Sequence, residues 1–154
     1  MINPNDSIRF TNVVSSKYSF HYSEFKEVMQ NFIESVVRCD ASVNGPLFYS
    51  INNVPKDEMV SAEFFIPVEE DQINGTGGMK FHSYFCVEDM ISICLYQNFQ
   101  QQTEVAYALL LEYVAQNQLK QVTPIFHVIT GDETLQYVYI KMGVGQKNLE
   151  ELWK

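Results

Sequence analysis

The chain has 154 residues, of which 46% are hydrophobic and 19% charged, and its formal net charge is −9. This length and hydrophobic content predict a single globular domain with its own core. The acidic balance argues against direct binding to nucleic acid, because contact with a phosphate backbone requires a basic protein surface.

No apolar run is long enough to cross a bilayer, and the N-terminus has neither the basic nor the apolar region of a signal peptide. We therefore expect a cytoplasmic protein with no membrane partner. The three cysteines include no Cys-x-x-Cys pair, and the three histidines are scattered. These spacings predict no metal site, no cofactor, and thiols that stay reduced.

The first half of the chain predicts a strand, a helix and two further strands. Residues 1–8 are polar and predict a loose lead-in, whereas residues 8–14 and 17–22 are typical of strand segments. Ser23 is the predicted start of a helix that runs to Cys39. Its apolar residues recur at steps of three and four: Phe25, Val28, Met29, Phe32, Ile33, Val36 and Val37.

Pro46 is predicted to open the next strand, since a proline does least harm at the first position. A turn at residues 52–58 precedes a strand at residues 60–68. The acidic run at residues 69–71 is followed by three glycines within residues 74–78, a combination typical of a linker, which we place at residues 71–78.

The second half repeats this order. Residues 79–87 and 90–96 predict two strands with a turn at Glu88 and Asp89, and Pro124 is predicted to open a later strand. In the tail, residues 143–154, we expect a short helix that packs Leu149, Leu152 and Trp153. A longer helix is predicted between the strand at residues 90–96 and Pro124. It runs from Thr103 to Asn117 and has one apolar face: Val105, Ala106, Leu109, Leu110, Tyr113 and Val114.

Aligning Pro46 with Pro124 also aligns Phe48 with Phe126 and places His127 where the first half has Tyr49. We therefore predict an α+β fold in which tandem duplicated βαββ units form one antiparallel-rich sheet, with two helices on one face and a central cleft. The predicted boundaries within the single domain 1–154 are repeat 1 at about 8–70, a Gly-rich linker at 71–78, repeat 2 at about 79–142, and the tail.

Glu63 is the leading candidate site residue, because it interrupts a strand that is otherwise nearly free of charge. Alternation places Ala62, Phe64 and Ile66 on one face and Glu63 with Phe65 on the other. If the first face packs on the helix, Glu63 points into the cleft beside Phe65 and Tyr49. There it would neutralise a cation or act as an acid or base, and the alternative is a glutamate on a solvated face.

Tyr137 and Tyr139 alternate along one strand and are predicted to share a face. A tyrosine hydroxyl is easier to satisfy at a pocket wall than deep in a core, although plain packing remains the alternative. His127 is expected to point the same way as Tyr49, toward the cleft, with a purely structural role as its alternative. Spacing reveals no Ser-His-acid arrangement and no phosphate-binding loop.

The stretch from Gly45-Pro46-Leu47-Phe48-Tyr49-Ser50-Ile51 to Glu63-Phe64-Phe65-Ile66-Pro67-Val68, with the duplicated element order, resembles the GyrI-like small-molecule-binding domain. That superfamily includes the effector-binding domains of multidrug-responsive transcription activators. The resemblance implies two βαββ units and a central cleft for lipophilic, often cationic, compounds. It also implies a divergent, stand-alone bacterial member in which Glu63 matches the family's strand glutamate.

Two departures from the family stand in the second half. The approach to its helix, Leu95-Tyr96-Gln97-Asn98-Phe99, lacks the family's histidine and glycine, and Val138 occupies the acidic strand position. We also expect no DNA-binding segment before the domain, because about sixteen residues precede its first repeat strand.

The resulting hypothesis is a non-enzymatic binding or sensing module whose ligand site combines Glu63, Tyr49, Phe65, His127, Tyr137 and Tyr139. Its partner would be a small lipophilic or cationic molecule, with a protein partner as a further option and a monomer or homodimer as the assembly. The first alternative is a protein-interaction scaffold with a closed cleft, associated with a bacterial toxin or secretion locus. The second is a hydrolase that uses Glu63 with a tyrosine.

Overall fold

The computed structural model describes residues 1–52, 58–74, 77–96, 99–131 and 135–148, without the side chain of Gln100. These residues belong to two compact units, one formed by Arg9–Cys86 and the other by Met1–Ile8 together with Val87–Lys154. The order strand, helix, strand, strand occurs twice: β1 (Asn3–His21), α1 (Phe25–Arg38), β2 (Phe48–Ile51), β3 (Met59–Pro67), β4 (Lys80–Leu95), α2 (Phe99–Gln116), β5 (Leu119–Gly131) and β6 (Gln136–Gln146).

The Arg9–Cys86 unit is built around β3, which pairs antiparallel with β1 on one side and with β2 on the other. Alternate β3 residues face α1, as the sequence predicts, because every second side chain of a strand points to the same face. Phe64 occupies the centre of this face and is fully buried. The core between β3 and α1 contains Val60, Ala62, Phe64, Ile66, Phe32 and Val36.

α1 is preceded by a 3₁₀ turn, Tyr22–Glu24, and the side-chain cap belongs to this turn and not to α1 itself. The cap is His21 and not Ser23, because the His21 ring accepts a hydrogen bond from the Ser23 N–H while the Glu24 carboxylate accepts one from the His21 N–H. This reciprocal pair satisfies N–H groups that have no partner within the helix. After Arg38, Asp40 takes a left-handed conformation with φ of 60° and ends the helix.

The second unit is built around β6, which pairs antiparallel with both β4 and β5. Ile140 of β6 lies opposite Ile93 and His127, and all three are buried. The antiparallel pairs in both units confirm the α+β, antiparallel class. The α2 side of this unit is a core of Ile91, Ile93, Leu95, Ile140, Met142, Ala106 and Leu110.

The apolar faces of the helices are narrower than their sequences predict. Val37 of α1 is 53% exposed, and in α2 Val105 and Leu109 are 51% and 42% exposed. α2 instead buries Ala106 and Leu110. Successive helical residues are about 100° apart, so a residue next to a buried position can already point to solvent.

Three strand and helix boundaries are corrected. β1 begins at Asn3, so residues 3–8 are not a loose lead-in, and β4 continues through the predicted turn because Asp89 takes a left-handed conformation with φ of 56°. α2 begins at Phe99 rather than Thr103. The Thr103 hydroxyl bonds to the carbonyl of Phe99 one turn earlier, which a threonine inside a helix can do.

Pro124 does not open its strand, because β5 begins at Leu119 and shifts register between Gln121 and Ile125. A proline is tolerated at such an irregularity, since it has no N–H for the ladder. The Thr123 hydroxyl accepts a hydrogen bond from the Gly143 N–H at 2.9 Å, and a Cβ on Gly143 would lie 2.5 Å from Thr123 Cγ2. Glycine therefore fits this close approach.

β6 extends to Gln146, which makes the start of the predicted tail part of a strand. Leu149, Leu152 and Trp153 lie outside the described residues, as do Gly75 and Thr76 of the predicted linker. In the described part of the chain, no helix is both long and apolar enough to span a membrane.

Phe64 is the side chain on which the first core depends, because its ring lies 5.6 to 5.9 Å from the rings of Phe25, Tyr49, Tyr18 and Phe32. We expect Phe64→Ala to lower the free energy of unfolding by about 3–5 kcal/mol in urea titrations followed by circular dichroism. The control Val37→Ala, on the exposed side of α1, should change it by less than about 0.5 kcal/mol. Equal effects of the two substitutions would contradict this core assignment.

Candidate functional site

The face of the Arg9–Cys86 unit that points away from α1 is covered by phenylalanine rings. Phe65 stacks on Phe48 with centroids 4.7 Å apart and planes 4° apart, and Phe85 lies 4.9 Å from Phe65. Phe10 stacks on Phe48, with ring centroids 5.5 Å apart. We call Phe10, Phe48, Phe65 and Phe85 the phenylalanine cluster. Phe48 and Phe65 are only 0% and 3% exposed, so these two rings form a core rather than an open wall.

A serine–histidine pair borders this cluster. Ser15 Oγ lies 2.9 Å from His82 Nε2, and the His82 ring is 6.3 Å from the Phe65 ring. Sequence reasoning missed this pair, because Ser15 and His82 are far apart in the chain and no local motif links them. Ser15 is completely buried, so its hydroxyl satisfies the histidine and is not accessible to a substrate.

Glu63 lies on the same side of β3 as Phe65, as predicted, and is partly exposed. Its neighbours across the strands are Lys17 on β1 and Ser50 on β2. Ser50 donates its hydroxyl hydrogen bond to Asn52 Oδ1 at 2.9 Å. Among the described side chains, none forms a hydrogen bond or ion pair with the Glu63 carboxylate.

Tyr49 does not lie beside Phe65, and this prediction is wrong. Tyr49 is opposite Phe64 in the β2–β3 register, so it faces α1, where its ring centroid is 4.9 Å from that of Phe25. The sequence could not fix this orientation, since a shift of one residue between two strands reverses every side chain.

The second unit carries three adjacent tyrosine rings on the face away from α2. Tyr137 and Tyr139 share this face, as predicted, with ring centroids 5.8 Å apart. Tyr96 adds a third ring 6.1 Å from Tyr137 and is 64% exposed, whereas the other two are half-buried. We call Tyr96, Tyr137 and Tyr139 the tyrosine surface. In the sequence, Tyr96 stood out only as part of a departure from the family pattern.

The hydroxyls of Tyr96 and Tyr139 stay protonated at neutral pH, because their pKa values are raised. A hydrogen bond with Cys94 raises the pKa of Tyr96, and partial burial followed by the nearby Cys94 and Tyr137 raises the pKa of Tyr139. Neutral phenol rings keep the negative π-face that attracts cations, together with a hydrogen-bond donor.

An ion pair borders the tyrosine surface. Lys141 Nζ lies 5.3 Å from the Tyr139 ring centroid and 3.2 Å from Asp6 Oδ1, and it donates a hydrogen bond to the Ser7 carbonyl at 2.8 Å. Burial acts to raise the pKa of Asp6, but hydrogen bonds from Ser92, Ser7 and Lys141 and the lysine charge lower it below the usual value. Lys141 is thus neutralised within its own unit.

The predicted orientation of His127 is also wrong, because its side chain points toward α2 and not toward a cleft. It is 5% exposed, and its Nε2 forms a hydrogen bond with the Tyr107 hydroxyl of α2. Burial lowers the pKa of His127 to about 4 and raises the pKa of Tyr107 to about 12, so both groups are neutral at physiological pH. The alignment of Tyr49 with His127 still holds in one respect, since each faces the helix of its own unit.

Across the residues that the structure describes, no group of three or more histidine, cysteine or acidic side chains is arranged to hold a metal ion. The described aromatic side chains form one closed group, the phenylalanine cluster with Glu63 beside it, and one group that is open to solvent at Tyr96, the tyrosine surface.

The neutral His127 makes stability depend on pH in a defined direction. The unfolded chain takes up the histidine proton near the ordinary pKa of 6.5, whereas the folded chain does so only near about 4, so acid favours unfolding over this interval. Between pH 7 and pH 5, wild type should lose ~2 kcal/mol more of its unfolding free energy than His127→Gln does, measured by urea titration. Parallel losses in the two proteins would show that His127 is not held neutral.

No curated protein sequence matches the chain. Among solved structures, it is similar to a chain of the EcmrR–DNA complex in EcmrR-RPo, determined by cryo-EM, with a TM-score of 0.72 and 11% identity over 94% of this chain and 59% of that one. It is also similar to the crystal structure of the EcmrR C-terminal domain, with a TM-score of 0.69 and 9% identity over 93% of this chain and 98% of that one.

The chain thus spans about three fifths of the first of these two chains. Identities this low show a shared fold alone, and that fold is consistent with the GyrI-like resemblance. A family model described as a domain of unknown function, DUF5085, matches residues 9–146. The chain therefore belongs to the DUF5085 family.

Proposed function

We propose that the chain is a non-enzymatic module that binds or senses a small lipophilic or cationic molecule, and that the tyrosine surface takes this ligand. The observation that carries the proposal is the row of three neighbouring rings, 6.1 Å and 5.8 Å apart, that remains accessible at Tyr96. In a buried core each tyrosine hydroxyl requires a hydrogen-bond partner, whereas at a binding surface both the rings and the hydroxyls can contact a ligand.

The chemistry of this surface favours planar and positively charged ligands. Stacked or tilted aromatic contacts contribute about 0.5–1.5 kcal/mol each, and a cation over a ring adds about 0.5–2 kcal/mol as it is desolvated. The net charge of −9 also steers cations toward the protein and repels anions. Lys141 does not oppose this attraction strongly, because Asp6 neutralises it at 3.2 Å.

Glu63 is a separate element of the proposal. Its carboxylate is partly exposed and, among the described side chains, has no ion-pair partner. A carboxylate in this state can contribute an electrostatic attraction to a cation without first breaking an existing bond. This contribution is tested independently of the tyrosines.

The fold supports a sensing role as part of the proposal. EcmrR is seen in complex with DNA, and its C-terminal domain alone has the fold of this chain. The GyrI-like resemblance adds the expectation that domains of this shape bind effectors. A binding module of this kind would report on its ligand through a partner.

One observation favours the alternative of a protein-interaction scaffold. Phe48 and Phe65 are almost completely buried among their own neighbours, so the first unit's face is filled rather than left open for a ligand. If the tyrosine surface binds no small molecule, its exposed ring would instead contact a partner protein, since tyrosine is enriched at interfaces.

Cationic dyes test the proposed function directly. We expect rhodamine 6G or tetraphenylphosphonium to raise the melting temperature, because a ligand at a hundred times its Kd stabilises the folded state by about 2.7 kcal/mol. In calorimetric titrations, Tyr137→Leu should weaken binding about fivefold to tenfold.

The matched control is Tyr22→Leu, which removes a tyrosine that is 56% exposed in the other unit and should leave the affinity unchanged. Glu63→Gln tests the separate contribution of Glu63: it should weaken binding of a cationic dye to the Arg9–Cys86 unit but not binding of an uncharged analogue of similar shape. The proposal is wrong if no compound in the panel binds, or if Tyr137→Leu and Tyr22→Leu bind equally well.

A further inference from the structure

α2 carries apolar residues on two sides. The side that packs on the strands of its unit buries Ala106 and Leu110. On the outer side, Val105, Leu109 and Leu111 are 51%, 42% and 50% exposed. Apolar residues all round are typical of a helix that is covered on more than one side. The core of the unit therefore accounts for only one of the two apolar sides of α2.

The exposed apolar side chains of α2 are contiguous. Residues three or four apart are neighbours on a helix surface. Ala108 is exposed and lies three residues from both Val105 and Leu111, while Leu109 follows Val105 by four residues and Ala115 follows Leu111 by four. We call these five residues the α2 outer patch. Scattered exposed apolar residues are normal on a protein surface, whereas contiguous ones mark a surface that contacts another molecule.

α1 provides an internal comparison, because it occupies the equivalent place in the order strand, helix, strand, strand. Val37 is its exposed apolar residue, and the other exposed residues of α1 are all polar or charged: Lys26, Glu27, Gln30, Asn31, Glu34 and Arg38. A helix in this arrangement thus needs an apolar inner side only. The α2 outer patch is an additional feature of the second unit and not a requirement of the fold.

The charges on α2 are all negative. Glu104 and Glu112 are exposed beside the α2 outer patch, and the sequence of α2 contains no lysine, arginine or histidine. Gln116 donates a hydrogen bond to Glu112 Oε1 at 3.0 Å, which leaves the carboxylate charge in place. A second copy of α2 would bring the same two glutamates, and an anionic membrane would repel them. Charge complementarity therefore favours a partner that carries lysines or arginines.

We infer that the α2 outer patch is a docking surface for an amphipathic, basic helix of a partner protein. The apolar stripe of that helix packs on Val105, Leu109 and Leu111, and its cationic side chains lie beside Glu104 and Glu112. The patch is on the α2 side of its unit, whereas the tyrosine surface is on the opposite side of the strands. The inference therefore does not depend on the proposed ligand site.

The test uses a labelled synthetic peptide of about 20 residues, long enough to form a helix, with leucines along one side and lysines beside them. Fluorescence anisotropy should show saturable binding of one peptide to the full chain. A peptide with glutamate in place of each lysine should bind at least about tenfold more weakly, because its charges are repelled. Leu109→Gln should weaken binding of the lysine peptide about fivefold to tenfold, because less apolar area is buried. Glu112→Gln should weaken it about twofold to fivefold.

The matched controls lie on α1, where Val37→Gln and Glu27→Gln make the same kinds of change at exposed positions. Both should leave the affinity for the lysine peptide unchanged, as should Tyr137→Leu in the tyrosine surface. Circular dichroism of Leu109→Gln should match that of wild type, since the side chain is 42% exposed.

The inference is overturned if the lysine peptide does not bind, or if the α1 substitutions weaken its binding as much as the α2 substitutions do. Sedimentation that shows a dimer of the chain, dissociated by Leu109→Gln, would also overturn it, because the occupant would then be a second copy. Binding that appears only after residues 149–154 are deleted would overturn it in favour of this chain's own tail.

Discussion

Each helix in this chain packs on one face of its unit's strands, and alternation along the strands places the remaining side chains on the opposite face. Phe64 and Phe65 show the consequence within β3, because these neighbours point to opposite faces and both are buried. In β6 the equivalent neighbours differ, since Ile140 is fully buried against the α2 side while Tyr139 is only half-buried. One unit therefore closes its second face with stacked phenylalanines, and the other leaves tyrosines partly open.

This difference changes where a ligand site is best placed. The sequence favours the first half, because Glu63 has no acidic counterpart at Val138. In the structure, the aromatic rings near Glu63 pack on one another, and the accessible rings belong to the second unit. For this reason the proposed function places ligand stacking at the tyrosine surface and proposes a separate electrostatic contribution for Glu63.

Much of the fold follows from periodicity, and the errors have common physical causes. Alternation correctly separates Phe64 from Phe65 and puts Tyr137 with Tyr139, because both statements concern a single strand. Tyr49 and His127 were assigned to the wrong face, because their orientation depends on pairing between strands, which spacing along one strand does not determine. Asp89 and Pro124 predict breaks, yet a left-handed residue and a register shift allow both strands to continue.

The central claim is that the tyrosine surface binds the ligand, and the nine tyrosines of the chain allow a direct test. Tyrosine ring resonances of the ¹³C-labelled protein can be followed by NMR during titration with tetraphenylphosphonium. We expect shifts for Tyr96, Tyr137 and Tyr139, and none for Tyr18 or Tyr107, which pack between strands and helices. Shifts confined to tyrosines outside the tyrosine surface, or no shifts at saturating ligand, would contradict the claim.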